Sequence, residues 1–192
     1  MARDLVTGDG QVHRAAEAVL AFWLYEVPPE KRFARDDALD RAIADRFADL
    51  RAAVIATHAA GWRAEPRLLL AAVILIDQFG RNLFRGSAEA FAADPLARAL
   101  AGEAETRGFG QGMTAAERQF LWMPFMHGES MADQLRSIAL QSDGGTDLVI
   151  RFAHLHAAQI ARFGRFPQRN AALGRETTAD EAAFLADPSN HF

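Results

Sequence analysis

Apolar residues recur along this chain at the three- and four-residue spacing of helix faces, separated by short polar breaks. Val12, Ala15, Ala16, Val19, Leu20 and Trp23 share one face and stop before Pro28-Pro29. A second face, Leu39, Ile43, Phe47, Leu50 and Val54, starts near Asp36 and is expected to run to Gly61. Pro66 suits a first helical position, and Leu68 to Ile76 is then apolar without interruption. Its leucine and alanine content and its extension towards Phe79 predict a helix buried all round rather than a strand.

Asp94-Pro95 reads as an N-cap followed by proline at N1, opening a helix that ends near Gly108. Thr114 with Glu117 and Thr178 with Glu181 have capping-box spacing. Pro124 is expected to end or kink the helix that holds Phe120, Leu121 and Trp122. Ser130 can cap a helix carrying Leu135 and Ile138, and Gly144-Gly145 breaks the chain. Asp147 opens a helix with Leu148, Phe152, Leu155 and Phe163 inward, closed by Gly164. No segment alternates with the two-residue period of a strand. The expected fold is all-α, with residues 1–192 forming a single helical domain whose short loops favour antiparallel neighbours.

Composition narrows the picture. At 192 residues, half of them hydrophobic, the chain is long enough to bury its own core. The absence of cysteine excludes disulfides, thiolate metal sites and a cysteine nucleophile. Met1 to Gly10 carries Asp4 and Asp9 and lacks the apolar run of a signal peptide. The longest apolar run has nine residues, against the roughly 20 needed to span a bilayer. A cytoplasmic protein with no membrane partner is expected. A net charge of −4 argues against nucleic acid as a partner.

Charge is nevertheless unevenly placed. From Leu148 to Arg175 there is no acid, while Arg151, Arg162, Arg165, Arg169 and Arg175 accompany His154 and His156. Lys31 is the only lysine, so a general preference for arginine explains part of the count but not this polarisation. Guanidinium groups fork onto carboxylate or phosphate through two parallel hydrogen bonds.

A weak internal echo runs through the same residues. Phe79-Gly80-Arg81-Asn82 precedes Arg85-Gly86 and Asp94-Pro95. Phe163-Gly164-Arg165 precedes Arg169-Asn170, Gly174-Arg175 and Asp187-Pro188. Duplication of a helical unit and repeated helix-exit chemistry both account for it.

These patterns define a candidate site for a small anionic, phosphate- or carboxylate-bearing molecule. Arg81, Arg85, Arg165, Arg169 and Arg175 would donate, and Gln78, Asn82 and Asn170 would orient the ligand or the arginines. His154 shares a helix face with Arg151 and Arg162 and joins the basic surface. His127 with Glu129, or Asp77, would serve acid–base chemistry. Asp77 also stands one helical turn before Arg81 and can pair with it. His154 and His156, two apart on a helix, cannot serve one metal together, so no metal and no cofactor is expected. Walker, His-Glu-x-x-His, Glu-x-x-His and Gly-x-Ser-x-Gly signatures are all absent. An acidic peptide is the alternative partner, and purely structural helix locking by the polar segments is the third reading.

The segments Asp77 to Gly86 and Arg162 to Asn170, with Leu173-Gly174-Arg175, resemble the domain of unknown function 924 family of bacteria. Val19 to Trp23, Trp122 to His127 and Glu181 to Leu185 fit the same pattern in order. That pattern usually reads Asp-Gln-Phe-Pro-Arg-Asn where this chain has Gly80, and His-Ser-Glu where it has Gly128. The resemblance implies helical hairpins in a tetratricopeptide-like right-handed superhelix. It implies no activity, substrate or cofactor.

Overall fold

The computed structural model describes residues 9–190; Asp4 and most of the Met1 to Gly10 reading lie outside the described residues. Helix α1 (Asp9–Ala21) runs into a π-helical turn, Phe22–Glu26. The Asp36 carboxylate caps α2 (Asp37–Ala56) by accepting from the amides of Ala38 and Leu39. That helix stops short of Gly61, because His58 and Ala59 take left-handed backbone angles, φ 50° and 57°.

Helix α3 (Pro66–Val73) begins at its proline as expected. It continues through a π-helical turn, Ile74–Gln78, into α4 (Phe79–Leu83). A short helix, α5 (Glu89–Ala92), leads to α6 (Asp94–Thr106). Both capping boxes form, opening α7 (Ala115–Met126) and, near the end of the chain, α10 (Ala179–Leu185). Pro124 does not end α7, which runs two residues further. Ser130 and Thr146 cap α8 (Met131–Ser142) and α9 (Asp147–Phe163), and Gly164 closes α9 in the left-handed region at φ 69°.

The fold is all-α among the described residues, and α3 is its centre. Every residue from Leu68 to Phe79 is buried. Burial of each such Leu, Ile or Phe contributes about 1.5–3 kcal/mol, so this one segment carries much of the apolar stabilisation. It packs against α1, α6 and α7, while α2 packs on α4 and α8 lies between α7 and α9. Phe22, Trp23, Phe47, Phe79 and Phe120 meet in edge-on and tilted pairs with centroids 5.1–5.9 Å apart. The polar end of this central rod, from Asp77 onward, emerges against the end of α7 and the segment after α9.

Candidate functional site

The π turn determines which side chains face the interior. Such turns insert an extra residue into the helical ladder and often occur at functional positions. Here Asp77 and Gln78, neighbours in sequence, are both buried. Asp77 therefore sits within a helix that continues to Leu83, and not at a helix end as its sequence position suggests.

Asp77 is 1% exposed and fully engaged. Its Oδ1 lies 2.9 Å from Nδ1 of His127 and 3.1 Å from Arg81 Nη1, and its Oδ2 accepts from Gln78 Nε2 at 2.6 Å. Burial works against its charge, yet Arg81 and His127 together hold its pKa well below the usual carboxylate range. Because an ionised carboxylate only accepts, the His127 Nδ1 carries the proton and Nε2 is left with a lone pair. His127 is placed by the last turn of α7, where it is the C-cap residue. Burial, then the positive charge of Arg81, push its pKa below the ordinary 6.5 although Asp77 pulls the other way. The ring is thus neutral near pH 7, with its side chain 14% exposed. The sequence reading offered Asp77 and His127 as separate acid–base candidates; the fold makes them one unit.

Asp94 joins the two arginine segments. Its carboxylate accepts both Nη1 and Nη2 of Arg81 at 3.2 and 3.1 Å, and its Oδ2 lies 3.5 Å from Arg169 Nη1. This corrects the N-cap assignment, since Asp94 makes no cap hydrogen bond. Arg169 also donates through Nη2 to the His127 carbonyl at 3.0 Å. Its guanidinium lies between the rings of Phe91 and Phe166, 4.7 and 4.6 Å from their centroids. Burial first, then the neighbouring Arg81 charge, push its pKa down to about 10. It remains a cation at neutral pH. Among the described residues no carboxylate satisfies it at hydrogen-bonding distance, and its side chain keeps 11% exposure.

The other candidates lie around this cluster, mostly engaged by carboxylates. Arg175 forks onto Glu129 at 2.7 and 3.0 Å, and Glu129 also accepts from the Phe166 amide at 2.8 Å. Burial opposes the charge of Glu129, but Arg175 and that amide outweigh it and lower its pKa. Glu129 thus holds the segment after α9 and does not touch the His127 ring by any hydrogen bond. Arg165 and Asn170 share Glu181, whose pKa is held down to about 2 chiefly by Arg165. Arg85 and Asn82 share Asp40 in the same manner. His154 faces solvent on α9, away from these contacts.

His156, assigned no role from sequence, comes within 6.3 Å of the His127 ring, centroid to centroid. Its Nδ1 donates to the Phe152 carbonyl at 2.8 Å. Burial, with the nearby His127, pushes its pKa down to about 3.

Two glycines mark the departures from the family pattern. A Cβ at position 128 would lie 2.5 Å from Oδ2 of Asp133, so the space of a serine there is filled by that carboxylate. A Cβ at position 80 would lie 2.9 Å from Nη2 of Arg51. Nor is the Phe-Gly-Arg echo a repeated local structure. Gly80 is helical within α4, whereas Gly164 terminates α9 with positive φ.

A cavity of about 400 Å³ opens elsewhere, beside Trp122, Gly108 and Gly110. Glu105 and Asp143 line it, and its one arginine, Arg118, donates instead to the carbonyls of Met113 and Gly144. Its charge does not suit an anion. Among the described residues no group of three or more His, Asp or Glu side chains could hold a metal ion.

Residues 19–189 match the family described as bacterial protein of unknown function (DUF924), and the chain belongs to that family. It is similar to the solved structure of a protein of unknown function, ATU0120, from Agrobacterium tumefaciens. The two share 40% sequence identity with a TM-score of 0.86, over 91% of this chain and 98% of the other. No curated protein matches. No helix among the described residues is long and apolar enough to cross a membrane.

Proposed function

We propose that the Asp77–His127 unit and Arg169 form a site that binds, and through His127 can turn over, a small anionic molecule bearing a carboxylate or phosphate. The observation that carries this reading is the closeness in the fold of a histidine with a free ring nitrogen and an arginine with only a long ion pair. His127 Nε2 has no hydrogen-bond partner among the described residues, and Arg169, which donates to the backbone carbonyl of the same histidine, meets its one carboxylate, Asp94, only at 3.5 Å. A neutral imidazole oriented by a buried carboxylate is suited to take a proton from a bound molecule. Arg81 is the fixed member, committed to Asp77 and Asp94. Arg85, Arg165, Arg175, Asn82 and Asn170 frame the site by holding the segments that carry it.

A thermal-shift screen with phosphorylated metabolites and small mono- and dicarboxylates, repeated on Arg169→Ala, tests this reading. Stabilisation by a small anion that disappears in the variant supports it. No shift with any anion sinks it.

A second reading treats α7, α8 and α9 as consecutive tetratricopeptide-like hairpins that bind an acidic segment of a peptide or protein. Met131, Leu135 and Leu148, all exposed on α8 and α9, favour it. An acidic peptide that stabilises the protein where small anions do not would support this reading over the first.

A further inference from the structure

Arg51 projects from α2 into the same neighbourhood and was not singled out by any sequence pattern. It is 4% exposed, and its Nε and Nη2 are buried without a hydrogen-bond partner. Its guanidinium lies 5.1 Å from the centroid of Phe84 and against the backbone of Gly80, the residue before Arg81. Burial pushes its pKa down, with Glu89 and Asp94 opposing and Arg81 adding to the effect. Arginine nonetheless stays charged in proteins. A buried cation with unspent donors is costly to the fold, which normally pairs or removes such a group.

The surrounding charges show what this cation leaves over. Arg51, Arg81 and Arg169 are opposed by Asp77 and Asp94, while His127 is neutral. Glu129 with Arg175, and Asp40 with Arg85, cancel within their own pairs. Glu89 is the strongest opposing charge on Arg51, but it is exposed, so water and salt weaken its field. Among the buried and part-buried groups one positive charge is in excess, in surroundings where its field reaches further than it would in water.

We infer that Arg51 sets the charge of the ligand: its uncompensated guanidinium makes the cluster favour a group with one negative charge, a carboxylate or a singly ionised phosphate, held by the open donors of Arg169. This rests on the site reading given above. Arg51 acts through its field as a positioning residue and does not touch the ligand.

The test measures both stability and anion binding on the full chain, with acetate, inorganic phosphate, oxalate and neutral acetamide as probes. Arg51→Met keeps the stem and removes the charge, Arg51→Lys keeps the charge, and Arg169→Met removes the donors. Arg51→Met is expected to melt higher than the parent in anion-free buffer and to bind acetate or phosphate about tenfold more weakly. Arg51→Lys is expected to retain binding, and acetamide to bind none of them. A preference between acetate and phosphate names the headgroup and supports the inference.

An Arg51→Met protein that is less stable than the parent, or does not fold, overturns it, because the arginine would then serve the fold. Tighter binding of oxalate than acetate overturns the single-charge rule. Unchanged anion binding in Arg51→Met with loss in Arg169→Met overturns the role of Arg51 and leaves the site reading intact. Failure of the parent to bind any anion overturns both.

Discussion

His127 and Asp77, 50 residues apart in sequence, are joined by a hydrogen bond of 2.9 Å that fixes which imidazole nitrogen carries the proton. The carboxylate is ionised and buried, so it can only accept, and Nδ1 must donate. Asp77→Asn removes that constraint, since an amide can donate or accept. Imidazole nitrogen resonances should report the Nδ1–H form in the parent and a mixed or reversed form in the variant. The variant also leaves Arg81 without one of its two carboxylates, at a cost of about 3 kcal/mol. A parent ring protonated on Nε2 would remove His127 as a base.

Stability should depend on pH through the two part-buried histidines of the site. His127 and His156 are both held neutral, with folded pKa values below the ordinary 6.5 and, for His156, at about 3. The unfolded chain therefore takes up protons that the fold does not. Their contribution is complete above about pH 6.5 and is lost as pH falls towards the folded values, by up to about 1.4 kcal/mol per pH unit for His156, with His127 acting in the same direction. The depressed carboxylates, Asp77 and Glu129 among them, add to the loss only below about pH 4.5. Urea titrations from pH 7 to 5 should show this slope, and His156→Gln should make it shallower. A flat profile over that range would contradict the burial of both rings.

Gly80 and Arg51 should behave as a coupled pair. Alanine in place of a helical glycine is worth about 1 kcal/mol. Here the added Cβ would meet the Arg51 guanidinium at 2.9 Å, so Gly80→Ala alone should gain nothing or lose stability. In an Arg51→Ala background the same change should recover about 1 kcal/mol, giving a coupling of similar size. Additive effects would show that Arg51 moves aside freely.

Glu181 anchors the last part of the chain. It closes the capping box of α10 with Thr178 and also receives Arg165 and Asn170. Glu181→Gln should raise amide exchange from Arg165 through α10 while α3 keeps its protection. Uniform exchange changes across both regions would mean that this segment does not open separately.

Most helix faces were legible from spacing because each is a local property; on α9 the reading missed, since Leu148 is exposed and Val149, Ala153, Ala157 and Ile160 are the buried apolar residues. The Pro66 start, the two capping boxes and the unbroken burial of Leu68 to Ile76 all appear as read. What escaped was whatever depends on partners distant in sequence. Asp94 looks like a cap because it precedes a proline, and only the fold shows Arg81 and Arg169 drawing its carboxylate away. The π turn at Ile74–Gln78 has no distinctive composition, and its effect on Asp77 and Gln78 is purely geometric. Arg51 has ordinary helical neighbours, and nothing local announces that two of its nitrogens lack a hydrogen-bond partner. Gly80 and Gly164 share a sequence context yet differ in backbone, because tertiary packing continues one helix and ends the other.

Asp94 connects residues that are translated far apart. Arg81 lies 13 positions before it, whereas Arg169 emerges much later, after α9 is complete. Besides the buried Phe166, Pro167 and Asn170, the segment from Arg165 to Arg175 is fastened by charged hydrogen bonds to Glu129, Glu181 and the His127 carbonyl. The site is therefore complete only with that segment docked onto the helices that precede it. A ligand that needs Arg169 in place would strengthen the docking by the same free energy with which docking strengthens its binding.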